Sequence, residues 1–251
     1  LHAKLRQKGV RLHLGCTVEG FAANGDRVNV LLKDEAPLTA DMVVLAIGVT
    51  PDTGLAKAAG LELGIKGSIL VNDRMETSAP DIYAVGDAVQ VKHFVTGQDT
   101  LLSLAGPANK QGRIIADNIC GGDSHYTGGQ GSSIIKIFDM TAAATGINEK
   151  TAKALGIDTD KVILSPMSHA GYYPGGELMT MKVLFEKETY RILGAQIIGF
   201  QGVDKRIDVL ATAIRARMKA HQLIDLDLAY APPYSSAKDP VNMAGYIVEN
   251  I

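Results

Sequence analysis

The chain has no tryptophan, only two cysteines, and no excess of either charge: Lys+Arg 25 stand against Asp+Glu 27 for a net charge of −2 in 251 residues. Each shortage excludes something. Two cysteines cannot build a disulfide framework, and Cys16 and Cys120 form no CxxC and no metal-ligand spacing. Neither thiol is expected to be a nucleophile. The six histidines make no HExxH or comparable pattern, so no metal is expected. Without a basic excess there is no electrostatic footprint for a nucleic acid. No uncharged apolar run approaches the ~18 residues that cross a bilayer, so no membrane span is expected. Nothing resembles a secretory leader, which leaves the cytoplasm as the default compartment. Also missing is any GxGxxG following a strand, the usual cradle for a dinucleotide pyrophosphate.

What is present is a folding composition, 46% hydrophobic and 21% charged. Glycine is plentiful, at 27 residues, which points to tight turns or to backbone that approaches a ligand closely. The first nine residues read as a helix end closed by Gly9. Residues 10–18 and 27–33 read as strands about an Asn24-Gly25-Asp26 turn. Residues 41–48 are nearly all apolar and predict a strand covered on both faces, as in a parallel sheet. A short helix at 55–60 and short strands at 68–71 and 82–85 follow, then a long helix at 101–120. The Gly/Ser-rich stretch 121–133 is the best domain boundary. Beyond it, strands at 133–138, 161–167, 178–185 and 192–198 mix with helices at 149–155, 203–219 and 241–250. That is an α+β module of ordinary domain size.

Four strings carry chemistry. Residues 77–87, TSAPDIYAVGD, are an apolar strand ending in Gly86-Asp87, where α/β sheets bind ligands. The Asp87 carboxylate there can accept hydrogen bonds from sugar-alcohol hydroxyls. Residues 41–51, DMVVLAIGVTP, end in Gly48 and Pro51. Residues 104–113, LAGPANKQGR, place Pro107 in a first helical turn, whose free N–H groups and dipole form an anion site. Residues 230–246, YAPPYSSAKDPVNMAGY, hold tyrosines and Lys238 in a proline-stiffened loop.

Together these strings resemble the FAD-dependent pyridine nucleotide-disulfide oxidoreductases. The first resembles that family's second flavin motif, with Thr77, Gly86 and Asp87 at the cofactor and Asp87 on the ribityl chain. The second is similar to the segment that returns from the NAD(P)H domain to the FAD domain, with Gly48 as a cofactor-side residue. The third resembles the helix that points at the flavin pyrimidine edge, through Pro107 and Ala108. The last string has no histidine after His221 and, with 169–176 (HAGYYPGG), is similar to the coenzyme A-disulfide reductase, NADH oxidase and persulfide reductase branch.

The resemblance implies FAD and NAD(P)H as cofactors, a homodimer, and a small disulfide or persulfide of coenzyme A type as substrate. Tyr172 and Tyr230 match the branch's catalytic tyrosines, with Tyr230 also near the flavin. Tyr172 and Tyr173 are hard to separate from sequence. Asn109 and Lys238 match its coenzyme A contacts. The implied fold is α/β and α+β: Rossmann-like FAD/NAD segments, then a complete α+β dimerisation domain. The expected divisions are 1–66, the end of the NAD(P)H domain; 67–125, the returning FAD segment; and 126–251, the dimerisation domain. The likeness covers only the later portion of the family's length, without its redox cysteine and both GxGxxG cradles. The alternatives in view are an NADH oxidase or peroxidase of the same family, or a non-catalytic dimerisation fragment.

Overall fold

A computed structural model describes residues 1–250. It divides into two compact units, Leu1–Val49 and Thr50–Ile251. The first holds α1 (His2–Gln7) and an antiparallel meander of β1 (Val18–Asn24), β2 (Arg27–Leu32) and β3 (Leu38–Ala40). Asn24 pairs with Arg27 across Gly25-Asp26, and Gly25 takes φ +60°, the left-handed conformation that such a two-residue turn needs.

Two expectations fail here. Residues 10–17 form no strand; the ladder starts at Val18. Residues 41–48 are irregular, with Val44 75% and Ile47 91% exposed. A strand apolar on both faces needs strand neighbours and cover, and among the described residues no strand pairs with it.

The second unit begins with α2 (Gly54–Ala58) and a small sheet of β4 (Ile69–Leu70), β5 (Val89–Lys92) and β6 (Asp99–Thr100). Only β4 and β5 run parallel. The strand expected at 82–85 is reduced to one bridge, Glu76 to Tyr83, because Pro80 and the left-handed Asp81 bend the chain just before it. Helix α3 (Ala105–Ile119) follows.

The remainder is a five-stranded antiparallel sheet in the order β7 (Ser133–Ile137), β8 (Met140–Gly146), β11 (Ile192–Gly199), β10 (Thr180–Glu186), β9 (Thr159–Leu164). Helix α4 (Glu149–Ala154) leads from β8 to β9. Helix α5 (Val203–Arg215) lies on β8 and β11. Its Val203, Ile207, Leu210 and Ile214 repeat at helical spacing and are all buried. They meet Met181, Val183 and Ile197 from the sheet in one core. Helix α6 (Pro240–Val248) closes that core against the 3₁₀ turn Ala220–Asp225. Pro240 sits at the first position of α6, where the missing N–H costs nothing. The β8 strand and the 3₁₀ turn were not expected from sequence; residues 141–145 of β8 are mostly alanine, a poor strand former.

Candidate functional site

The first group of residues lies where the small sheet meets α3. Thr77 closes its own loop: its N–H donates to the Ile82 carbonyl at 2.9 Å and its hydroxyl to the Ala79 carbonyl at 3.3 Å. The chain then makes a single 3₁₀ turn, Gly86–Ala88, packed on α3. Gly86 takes φ +84°, which a side chain would resist. Its N–H donates to Gln111 Oε1 at 2.7 Å, and Gln111 is buried. The turn is thereby fixed to the second turn of the helix.

Helix α3 has no side-chain cap at Leu104. Among the described residues the Ala105 and Gly106 N–H groups find no acceptor, and Pro107 has none to offer. Asp87 is exposed, and its carboxylate has no hydrogen-bond partner among the described residues. An unpaired carboxylate, free helix-start donors and a left-handed glycine suit a polyhydroxylated ligand with an acceptor edge. The residues present thus fit a flavin nucleotide. Asn109 lies on the same first turns of α3 and is exposed. Gly48 belongs to the first unit, with φ +100°.

The second group is a pair of phenols. Tyr172 and Tyr230, 58 positions apart in sequence, have their hydroxyl oxygens 3.0 Å apart. Both are exposed, at 77% and 47%. The hydrogen bond to Tyr172 holds the Tyr230 phenol above its ordinary pKa. Tyr173 turns the other way, its ring edge-on to buried His169 at 5.7 Å. The geometry therefore separates the two neighbouring tyrosines. Lys238 sets its ammonium over the Tyr246 ring at 5.1 Å. Among the described residues no hydrogen bond joins Asn109 to Lys238, or the tyrosine pair to the Asp87 turn.

Sequence reading missed the residue beneath the pair. Arg206, on α5, is 1% exposed. Its guanidinium makes a two-pronged contact with Asp239, with Nε and Nη2 at 3.2 and 3.0 Å from Oδ2. Burial pushes the Asp239 carboxyl up, but hydrogen bonds from Ser235 and the Val241 N–H, with the Arg206 charge, outweigh it and hold the group below its usual range. The signal was available: position 206 lies three after Val203 and four before Leu210, on the apolar stripe. Gln111 and Ser235 carried no comparable signal.

Both cysteines are free thiols. Partial burial and the Glu35 carboxylate push the Cys16 thiol up, which disfavours the reactive thiolate. Among the described residues no group of three His, Cys, Asp or Glu side chains is arranged to hold a metal, and no helix is long and apolar enough to cross a membrane.

The architecture is that of a Rossmann-like dinucleotide-binding segment followed by an α+β dimerisation domain. The model of the pyridine nucleotide-disulphide oxidoreductase family matches residues 1–112, and that of the family's dimerisation domain matches residues 132–240. The chain belongs to the FAD-dependent pyridine nucleotide-disulfide oxidoreductase family. It is similar to the reduced CoADR-RHD of Bacillus anthracis, with 50% identity and a TM-score of 0.95 over 99% of this chain and 44% of that one. The NAD-dependent persulfide reductase of A. fulgidus gives 43% identity and a TM-score of 0.95, over 99% of this chain and 46% of that one. The coenzyme A disulfide reductase of Staphylococcus epidermidis is 37% identical over 82% of this chain and 47% of its own length. The chain spans about half the length of the curated relatives it matches.

Proposed function

We propose that this chain is the later portion of an FAD-dependent NAD(P)H oxidoreductase that reduces a disulfide or persulfide of coenzyme A type. In this reading residues 1–66 end the NAD(P)H domain, 67–125 return to the FAD domain, and 126–251 are the dimerisation domain of a homodimer. The observation that carries it is the Tyr172–Tyr230 hydroxyl pair, 3.0 Å apart and open to solvent. A persulfide reductase that matches over 99% of the chain and a coenzyme A disulfide reductase that matches over 82% support the same substrate class.

Each residue then has a task. Asp87 would accept from the ribityl hydroxyls of FAD, with Gly86 shaping the turn that presents it and Thr77 closing the loop before it. The start of α3, where Pro107 and Ala108 follow the free Ala105 and Gly106 N–H groups, would hold the pyrimidine edge of FAD and favour negative charge there. Gly48 lines the return from the nucleotide domain. Bound FAD supplies the electron relay from reduced nicotinamide to sulfur. The phenol pair donates a hydrogen bond to a sulfur atom as negative charge develops on it. Asn109 and Lys238 hold the coenzyme A moiety, Lys238 as a point charge for phosphate.

The test uses the flavin-loaded full-length enzyme. Tyr230→Phe should slow the sulfur half-reaction by up to ~2.7–4 kcal/mol in barrier and leave flavin reduction by NAD(P)H unchanged. Stopped-flow absorbance separates the two half-reactions. Equal rates for variant and wild type in both would reject the catalytic role of the pair.

A further inference from the structure

The tyrosines come from two loops far apart in sequence, and neither loop belongs to a sheet or helix. Something must hold their hydroxyls within hydrogen-bond reach. The hydrogen bonds beneath them converge on one side chain. Arg206 Nη2 donates to the Ser168 carbonyl at 3.0 Å, four residues before Tyr172. The same nitrogen donates to the Tyr234 carbonyl at 3.4 Å and lies 3.1 Å from Ser235 Oγ, in the loop that Tyr230 opens. Ser235 Oγ in turn donates to Asp239 Oδ2 at 2.6 Å, and the Ala170 N–H donates to the Ser235 carbonyl at 3.0 Å. Next along α5, Lys205 donates to the carbonyl of Ala229, the residue before Tyr230, at 3.2 Å. Asp239 ends the second loop, accepting from the Val241 N–H at 3.0 Å as the cap of α6.

We infer that Arg206, with Asp239 and Ser235, is a positioning unit that sets the Tyr172 and Tyr230 loops in register, so that the two phenols act as one donor site. The inference rests on the catalytic role proposed above for the pair. Arg206 is buried and touches neither phenol, so it acts through backbone carbonyls on both sides. A planar guanidinium suits this: it offers five donors in fixed directions, and here it reaches a carboxylate, a hydroxyl and carbonyls of both loops at once. Lysine keeps the charge but not the fork. Besides the direct backbone bond from Ala170 to Ser235, further anchors are few, since Tyr172 itself is exposed and its hydroxyl bonds, among the described residues, to Tyr230 alone.

The readout is the phenol–phenol hydrogen bond itself, in the chain as it stands. 3-Fluorotyrosine is incorporated, and the fluorine resonances of Tyr172 and Tyr230 are assigned with Tyr→Phe variants at neutral pH. Removing the Tyr172 hydroxyl (Tyr172→Phe) should shift the Tyr230 resonance. In an Arg206→Lys background the same substitution should leave it where it is. In a Ser235→Ala background, which loses a single hydroxyl, the shift should be at least halved. Leu210→Ala, a core truncation on the same helix, destabilises the fold but should preserve the full shift.

An unaltered shift in Arg206→Lys would overturn the inference, as would loss of the shift in Leu210→Ala or its absence from the starting protein. If Arg206→Lys does not fold, Ser235→Ala decides: an unaltered shift there overturns the inference. These spectra report position without turnover. A silent Tyr230→Phe in the sulfur half-reaction would remove the catalytic reading while leaving the positioning result standing.

Discussion

Residues 41–49 and strand β11 have nearly the same apolar character and opposite fates. The first, DMVVLAIGV, is irregular and open, with Leu45 65% and Val49 76% exposed. The second, ILGAQIIG, is the middle strand of five, with Ile192 and Leu193 each 1% exposed. The difference lies in partners. β11 has β8 on one edge, β10 on the other and α5 across a face. Residues 41–48 have no strand partner among the described residues. Hydrophobicity states a demand for cover, and the fold of the segment depends on whether the cover is supplied.

That contrast can be broken by substitution. Asp239→Ala strips Arg206 of its buried counterion and α6 of its cap, so it should lower stability by about 3–5 kcal/mol, read from the urea midpoint. Leu210→Ala, in the same core and 0% exposed, should cost about 2–5 kcal/mol. Leu45→Ala, in the open segment, should stay within ~0.5 kcal/mol. A large loss at Leu45 would mean that the segment is covered in solution.

Two smaller effects sharpen the comparison by separating binding from folding. Asp87 is exposed and unpaired among the described residues, so Asp87→Ala should leave the urea midpoint of the chain unmoved. In the flavin-loaded full-length enzyme it should weaken FAD retention by ~1.5–3 kcal/mol, measured by equilibrium dialysis. Stoichiometric FAD at unchanged affinity would remove Asp87 from the site.

Glu149, at the start of α4, is held to about 2 by hydrogen bonds from Lys161 of β9 and Lys182 of β10. Its folded pKa lies below the unfolded ~4.3. The stabilisation is therefore complete above ~4.3 and is lost as pH falls through about 2. Glu149→Gln should flatten stability against pH across that window, in urea unfolding at constant ionic strength.

The parts legible in sequence were those whose cause is local. The strands expected at 178–185 and 192–198 fall on β10 and β11, and the helix expected at 203–219 opens where α5 does. The Ala-Gly-Pro-Ala start gave the opening of α3 to within a turn. Cause at a distance was hidden. Whether residues 41–48 pair depends on strands elsewhere, and the apposition of Tyr172 and Tyr230 depends on loops meeting across α5. Arg206 reads as one more charge in Asp204-Lys205-Arg206 unless its place on the stripe is weighed ahead of its polarity.

Two phenols carry two O–H groups, and one is engaged by the other oxygen, so a single O–H points outward. That group is polarised, because its own oxygen accepts from the neighbouring phenol. The pair therefore has a valence of one: it can donate to one acceptor at a time. Taking the hydroxyl from either tyrosine alone leaves one outward O–H, unpolarised. Taking both leaves none, so the second removal changes the number of donors where the first changes only their strength.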